Sequence, residues 1–296
     1  MIERVIDLAE TPARLSVRNA CLVIASGAGA ETTLPVGEVA AVVLSHPQLA
    51  LTQPVLAQLA GAGAVVVVCD GRRMPVGMLL PLAEHFAQGE RFARQAAASL
   101  PTRKRLWQSL VRAKIRGQAQ VLSQLRGDDA GLAGLVAKVR SGDPANVEAE
   151  AARRYWPVLF GDVGFRRERY GGGPNQLLNY GYAVLRALVA RAVCAAGLHP
   201  SLSLHHHNRY DSFRLVDDVM EPYRPLVDRA VALYCRAYGL DAPLDKQAKT
   251  ALIGALLEPV RLAGQRRSLF DAAHRTAASL VEVFAGRRRS LVLPEW

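Results

Sequence analysis

The stretch Gly61-Ala62-Gly63-Ala64-Val65-Val66-Val67-Val68 decides the fold class. Glycines beside a β-branched run are the raw material of a dinucleotide-binding fold, but there the glycines follow the strand and open the next helix. Here they precede it, so the phosphate-binding turn is absent. The stretch reads instead as a helix stop, Gly61, followed by a buried strand. Towards the N-terminus, Pro54-Val55-Leu56-Ala57-Gln58-Leu59-Ala60 spells a short helix. Before it, Val39-Ala40-Ala41-Val42-Val43-Leu44, Cys21-Leu22-Val23-Ile24 and the alternating Leu15-Ser16-Val17-Arg18 spell strands bounded by Gly, Pro and Asn. From about residue 84 the apolar spacing turns helical and stays so to the end. The expectation is an α+β protein, with a small N-terminal β-rich domain over 1–83 and a larger all-α domain over 84–296. The residues that carry chemistry all fall in the second, which is therefore the expected catalytic domain.

The chain of 296 residues is half hydrophobic, enough for a real core. It has no uninterrupted apolar run of the ~18–20 residues that a membrane span needs, so no membrane is expected. Its first residues, MIERVIDLAE, carry acids and no apolar signal core, and Cys21, Cys69, Cys194 and Cys235 lack metal-binding spacing. These features predict a cytoplasmic protein with reduced core cysteines. The net charge of +11 and pI near 9.9 point to nucleic acid as the partner, with an acidic protein as the alternative.

Chemistry concentrates in Ser203-Leu204-His205-His206-His207-Asn208-Arg209-Tyr210 and the following Leu215-Val216-Asp217-Asp218-Val219-Met220-Glu221-Pro222. The second run has helical spacing, which places Asp217 and Asp218 on the same face as Glu221. Pro222 should kink or end that helix just after Glu221, leaving the acids on a last turn open to a ligand. Clustered carboxylates repel unless a cation or a proton lies between them. Imidazoles with carboxylates suit Mg²⁺ or Mn²⁺, with zinc possible, although no thiol and no HExxH pattern is present.

A further ligand is expected elsewhere. Asn146 reads as the N-cap of a helix beginning Val147-Glu148-Ala149-Glu150-Ala151-Ala152-Arg153-Arg154-Tyr155-Trp156. Glu148 lines up with Ala152, Tyr155 and Leu159, the apolar side, whereas Glu150 lines up with Arg153 and Arg154. An inward acid is costly unless paired or bound to metal, so Glu148 is the ligand candidate and Glu150 a surface ion-pair partner. Basic residues flank these elements. Arg105, Arg112 and Arg116 share one face of a helical stretch spanning 91–124, and Arg166, Arg167 and Arg169 precede Gly171-Gly172-Gly173. Both groups are candidate DNA phosphate contacts, with a solvated helix face and a flexible linker as the plainer alternatives.

Several motifs in order then resemble a known family. They are Asn146 to Trp156, Leu177-Leu178-Asn179-Tyr180-Gly181-Tyr182, Gly197-Leu198-His199-Pro200 leading to His206, and Asp218-Val219-Met220-Glu221-Pro222-Tyr223-Arg224-Pro225-Leu226-Val227-Asp228. Together they resemble the CRISPR adaptation integrase, the nuclease-like subunit that inserts new spacers, in its type II form. The resemblance spans nearly the whole chain. It departs at Ala149 and Ser203, where the family usually has glycine; neither would supply a ligand.

The resemblance implies an N-terminal domain used for homodimerisation and a helical catalytic domain binding Mg²⁺ or Mn²⁺ through Glu148, His206 and Glu221. Asp218 stands at a commonly acidic position, and His205 is the fallback for the histidine. It further implies double-stranded DNA, both spacer precursor and repeat array, as substrate, and a small CRISPR adaptation partner subunit. A stand-alone metal-dependent DNA nuclease or transposase-like enzyme is the alternative function. A catalytically idle DNA-binding scaffold is a third, disfavoured by the intact Glu148, His206 and Glu221.

Overall fold

A computed structural model describes residues 4–27, 29–71, 75–81, 87–168 and 171–296. Among the described residues, the N-terminal part holds eight strands and one α-helix, with a 3-10 turn at Val36–Glu38. In order these are β1 (Arg4–Leu8), β2 (Ala13–Arg18), β3 (Cys21–Ser26), β4 (Glu31–Pro35), β5 (Val39–Leu44), β6 (Leu49–Leu51), α1 (Gln53–Gly61), β7 (Val65–Cys69) and β8 (Pro75–Leu79). One sheet has the order β1-β5-β7-β8, parallel except at β8; the other runs β4-β3-β2-β6, antiparallel except for β6.

The runs of β5 and β7 are unbroken because both of their faces are buried. Val42 and Val66 face a small core with Leu15, Leu22 and the α1 residues Val55 and Leu59. Ala41, Val43, Val65 and Val67 face the main core shared with the helices. Strands β1, β4, β6 and β8 were not legible: they are short or half-exposed and lack a clean apolar alternation. The expected boundary at 83/84 lies outside the described residues.

The rest is mainly helical: α2 (Gln88–Ala96), α3 (Leu100–Arg126), α4 (Leu132–Val136), α5 (Val147–Phe160), α6 (Pro174–Ala195), α7 (Arg214–Met220), α8 (Arg224–Tyr238), α9 (Lys246–Leu257) and α10 (Leu269–Phe284). It is not all-α. Around α10 the strands β9 (Val260–Leu262), β10 (Gln265–Arg267) and β11 (Pro294–Glu295) form a small antiparallel sheet with β9 central. These strands are too short to show a period in the sequence.

The helical stretch expected over 91–124 is two helices: α2 ends with Ala97 as its C-cap, and Ser99, in extended backbone, caps α3, accepting from the Thr102 N–H at 3.4 Å. Asn146 holds the N-cap position of α5 but in a left-handed conformation and without a side-chain cap. Asp143 does that work, accepting from the N–H groups of Val147 and Glu148 at 3.0 Å each.

The central helix α6 is long and apolar enough to cross a membrane by length and composition, yet 78% of that window is buried inside the protein. Gly181 lets α8 approach it, since a Cβ there would stand 2.5 Å from Val227 Cγ1. The triple glycine before α6 is a packed turn. Gly173 has φ +57°, and a Cβ on it would meet the Leu240 carbonyl oxygen at 2.8 Å. The β1-β5-β7 sheet is tied to the helices by polar contacts as well. Tyr180 donates to Asp7 at 3.1 Å, buried Lys249 lies 3.5 Å from the same carboxylate, and Arg191 donates to the Gly63 carbonyl at 2.7 Å. None of the four cysteines forms a disulfide; Cys194 and Cys235 are buried, Cys21 and Cys69 half-buried.

Candidate active site

The site forms where α3, α5 and the end of α7 meet. Glu148 sits in the first turn of α5 on the inward face, and Glu150 turns outward to pair with Arg154. Glu221 begins a single 3-10 turn, Glu221–Tyr223, that joins α7 to α8. Pro222 therefore changes the helix type and lets the chain continue as α8. The acids are not left open. Glu221 is 2% exposed and Asp218 fully buried, because both helices bury this turn against α3.

Lys114 of α3 joins the two glutamates. Its Nζ lies 2.6 Å from Glu148 Oε1 and 2.6 Å from Glu221 Oε2. Arg224 reaches the other oxygen of Glu221 at 3.0 Å. Glu221 Oε2 is buried, and the Lys114 ammonium is its partner there. Burial works against charge at both residues, but charge wins. Arg224 and Lys114 hold the Glu221 carboxyl below its usual range, and Glu221 with Glu148 raises the Lys114 ammonium.

Histidine presentation is the task of Asp218. Its Oδ2 accepts from the backbone N–H groups of Leu204 at 2.6 Å and His205 at 3.2 Å. Its Oδ1 faces the His206 N–H at 3.2 Å and His206 Nδ1 at 2.6 Å. Four contacts fill the acceptor capacity of a carboxylate, leaving Asp218 no lone pair for a cation. Asp218 thus orients the His206 ring, and with the proton on Nδ1 the acceptor nitrogen of His206 is Nε2. Burial lowers the His206 pKa, but the hydrogen bond and charge of Asp218 outweigh it and the net shift is upward. His205 lies flat on Trp107, ring centroids 4.3 Å apart, and burial draws its pKa down. From α2, Gln95 steadies the start of this loop through the carbonyls of His199 and Leu202, at 2.9 Å each. Asp217 is not with this group; it pairs with Arg186 of α6.

Among the described residues no three His, Cys, Asp or Glu side chains close around one point. Two of the three expected ligands, Glu148 and Glu221, do converge, on the Lys114 ammonium. Their oxygens can be no farther apart than twice their distance from that nitrogen. Two carboxylates, all-oxygen donors, at one cation position fit a hard divalent ion in place of the Lys114 ammonium.

Behind the site, Asp228 is fully buried and accepts from Tyr155 at 3.1 Å and from Tyr182; burial pushes its carboxyl up to about 6. Arg224 stacks on Tyr182, 4.6 Å from the ring centroid, which braces the arginine that holds Glu221.

The basic candidates divide. Arg105 and Arg116 are exposed, but Arg112 donates to the Val139 carbonyl at 2.8 Å. Arg112 and Arg116 line an open groove of about 680 Å³ beside α4. Arg166 is exposed, whereas Arg167 donates to Asn175 at 3.0 Å and Asn179 at 2.6 Å. Arg169 lies outside the described residues. Sequence reasoning passed over Lys114, Arg224, Trp107, Gln95 and Asp228. Lys114 had a signal: it shares a helix face with Leu110, Val111 and Val121, the same argument that singled out Glu148.

The Neisseria meningitidis CRISPR-associated endonuclease Cas1 is 35% identical over 291 residues, covering 97% of this chain and 95% of that protein. A solved casposase bound to integration product shares the fold, with TM-score 0.83 at 18% identity over 98% of this chain and 92% of that one. A chain of a Cas6-RT-Cas1–Cas2 complex matches at TM-score 0.77 and 19% identity, over 100% of this chain and 36% of that one. The profile of the CRISPR associated protein Cas1 family matches residues 8–243, and with the near full-length identity to the Neisseria protein it shows that this chain belongs to the Cas1 family.

Proposed function

We propose that the protein is the integrase and endonuclease of CRISPR adaptation, a metal-dependent enzyme that joins spacer DNA 3′-hydroxyl ends to the repeat array in antiviral defence. The observation that carries this reading is the meeting of Glu148 and Glu221, from separate helices, on one cation position in a chain of the Cas1 family. Glu148, Glu221 and His206, through Nε2, are the residues that would hold Mg²⁺ or Mn²⁺. When bound, such an ion polarises phosphoryl oxygens and stabilises the charge that develops on them.

The reaction is a transesterification. The 3′-oxygen of the spacer forms a new bond to phosphorus at the repeat boundary as the bond to the displaced 3′-oxygen breaks. The proton lost by the attacking hydroxyl is matched by the one gained by the leaving oxygen, so no net proton or bond energy is needed. The chain's own part is positioning. Asp218 fixes the His206 ring and its tautomer, Arg224 fixes Glu221, and Trp107 with Gln95 fixes the loop that carries His206. The exposed Arg105, Arg116 and Arg166, with the net charge of +11, supply phosphate contacts.

Strand transfer needs two ends placed at once, which supports a homodimer joined through the N-terminal strands and a complex with the small adaptation subunit. The fold shared with a chain of the Cas6-RT-Cas1–Cas2 complex is consistent with that assembly. Light scattering on the full chain should give twice its 32.0 kDa.

The fold shared with the casposase keeps a transposase-like enzyme as the second reading. A labelled spacer duplex incubated with a supercoiled repeat plasmid and Mn²⁺ should yield covalently joined product at the repeat boundaries, and chelation should stop it. Joining without preference for the repeat favours the transposase-like reading. Cleavage with no joining overturns the integrase.

A further inference from the structure

Lys114 takes no part in the chemistry just described, yet its Nζ stands 2.6 Å from an oxygen of each glutamate that would hold the metal. Its side chain is only 10% exposed, and it covers a Glu221 oxygen that has no other outlet. The local charges already cancel, Lys114 and Arg224 against Glu148 and Glu221. A divalent ion added with Lys114 in place would sit against an ammonium in a medium of low dielectric, which is unfavourable. Ammonium and divalent ion are therefore alternatives for one position.

The chemistry of the residue suits exchange. A lysine is a point charge on an unbranched stem that leaves by rotating about its own bonds, whereas an arginine locks two carboxylates with a fixed fork.

We propose that Lys114 is a positioning residue, an internal counter-ion that holds the ligand pair together and is displaced by the incoming divalent ion, thereby setting metal affinity. The proposal rests on the reading of Glu148 and Glu221 as ligands.

Calorimetric titration of Mn²⁺ into the full-length wild type, Lys114→Met and Glu148→Gln tests it. Methionine keeps most of the volume and removes the charge. Lys114→Met should bind Mn²⁺ about tenfold tighter or more, because the competing cation is gone. It should melt lower without Mn²⁺ and gain more from it than the wild type does. A lysine with a merely structural role would lower melting too, but leave the affinity equal or weaker, and that result overturns the proposal.

If Lys114→Met does not fold, reductive methylation of the wild type followed by peptide mass spectrometry serves instead. Lys114 should be protected without Mn²⁺ and modified with it; equal protection in both overturns the proposal. Absence of Mn²⁺ binding in the wild type, or undiminished binding by Glu148→Gln, removes the ligand reading and this inference with it. Binding that Glu148→Gln loses but Lys114→Met does not strengthen overturns the inference alone.

Discussion

Two places in the molecule set one cation between two carboxylates, and they are built to opposite ends. Arg186 of α6 donates to Asp211 at 2.7 and 2.8 Å and to Asp217 at 2.7 Å through both Nε and Nη2. The Nε/Nη2 edge of its fork ties the loop before α7 to the helix that follows. Lys114 faces Glu148 and Glu221 as a point charge, 2.6 Å from one oxygen of each. The first cation is a fixed fork locked between its carboxylates. The second is a point charge on a flexible stem, and under the proposal above it holds the place of a divalent ion. Counting charges would rank the two as equals; donor geometry separates them.

The hardest test of that contrast is removal of the proposed ligands. Glu148→Ala, His206→Ala and Glu221→Ala should each lower strand transfer by about three decades or more, since metal stabilisation is worth several kcal/mol and each 1.36 kcal/mol is a decade. Glu221→Ala should also cost roughly 3–5 kcal/mol of stability, because it strips a partner from Lys114 and Arg224 in the interior. Urea unfolding beside a gel-based joining assay reads both effects. Joining at wild-type rates by a folded Glu221→Ala would remove this acid from the site.

Arg186→Lys probes the other cluster. Losing a bidentate fork in a half-buried place should cost about 2 kcal/mol by urea unfolding, with little change in joining rate per folded molecule. A thousandfold loss of joining would mean the clamp belongs to the active site, and the contrast would fail.

The same distinction recurs in the basic loop before α6. Arg166→Ala, at an exposed position, should flatten the slope of log affinity against log salt by about one. Arg167→Ala should leave that slope alone and lower stability by roughly 1–3 kcal/mol, because Asn175 and Asn179 lose a half-buried donor and Tyr182 loses one of its two cations. A wild-type slope for both variants would assign the loop to structure only.

How much of this was legible in the sequence follows from which forces write a local pattern. Strands β5 and β7 were visible because burial on two faces demands unbroken β-branched runs, and α8, α9 and α10 because long helices keep their period. Short strands such as β6 and β9 are held by partners distant in sequence, which no local pattern records. At the site, the helical face of α5 told Glu148 from Glu150. That Asp217 and Asp218, adjacent in sequence, serve different partners depends on where α6 and the histidine loop lie, and only the fold gives that. Exposure was misjudged at Glu221 for a related reason. Pro222 breaks the α-helical ladder, but a 3-10 turn carries the chain straight into α8, so the acids stay covered.

The finest test uses the two acids of α5, which differ by two positions and by half the helix circumference. Glu150 pairs with Arg154 one turn on, at the surface, where such a contact is worth about 0.3–0.5 kcal/mol. Glu150→Ala should therefore lower stability by a few tenths of a kcal/mol and leave joining, Mn²⁺ affinity and salt dependence as they are. The neighbouring Glu148→Ala, on the inward face against Lys114, should abolish joining in the same assay. Both substitutions remove one negative charge from the first turn of the same helix, so their helix-dipole effects nearly cancel in the comparison. The difference between the two variants then reports only which way each side chain points. If Glu150 proves essential and Glu148 dispensable, α5 presents its other face to the chemistry, and the pairing of Lys114 with Glu148 is a structural contact.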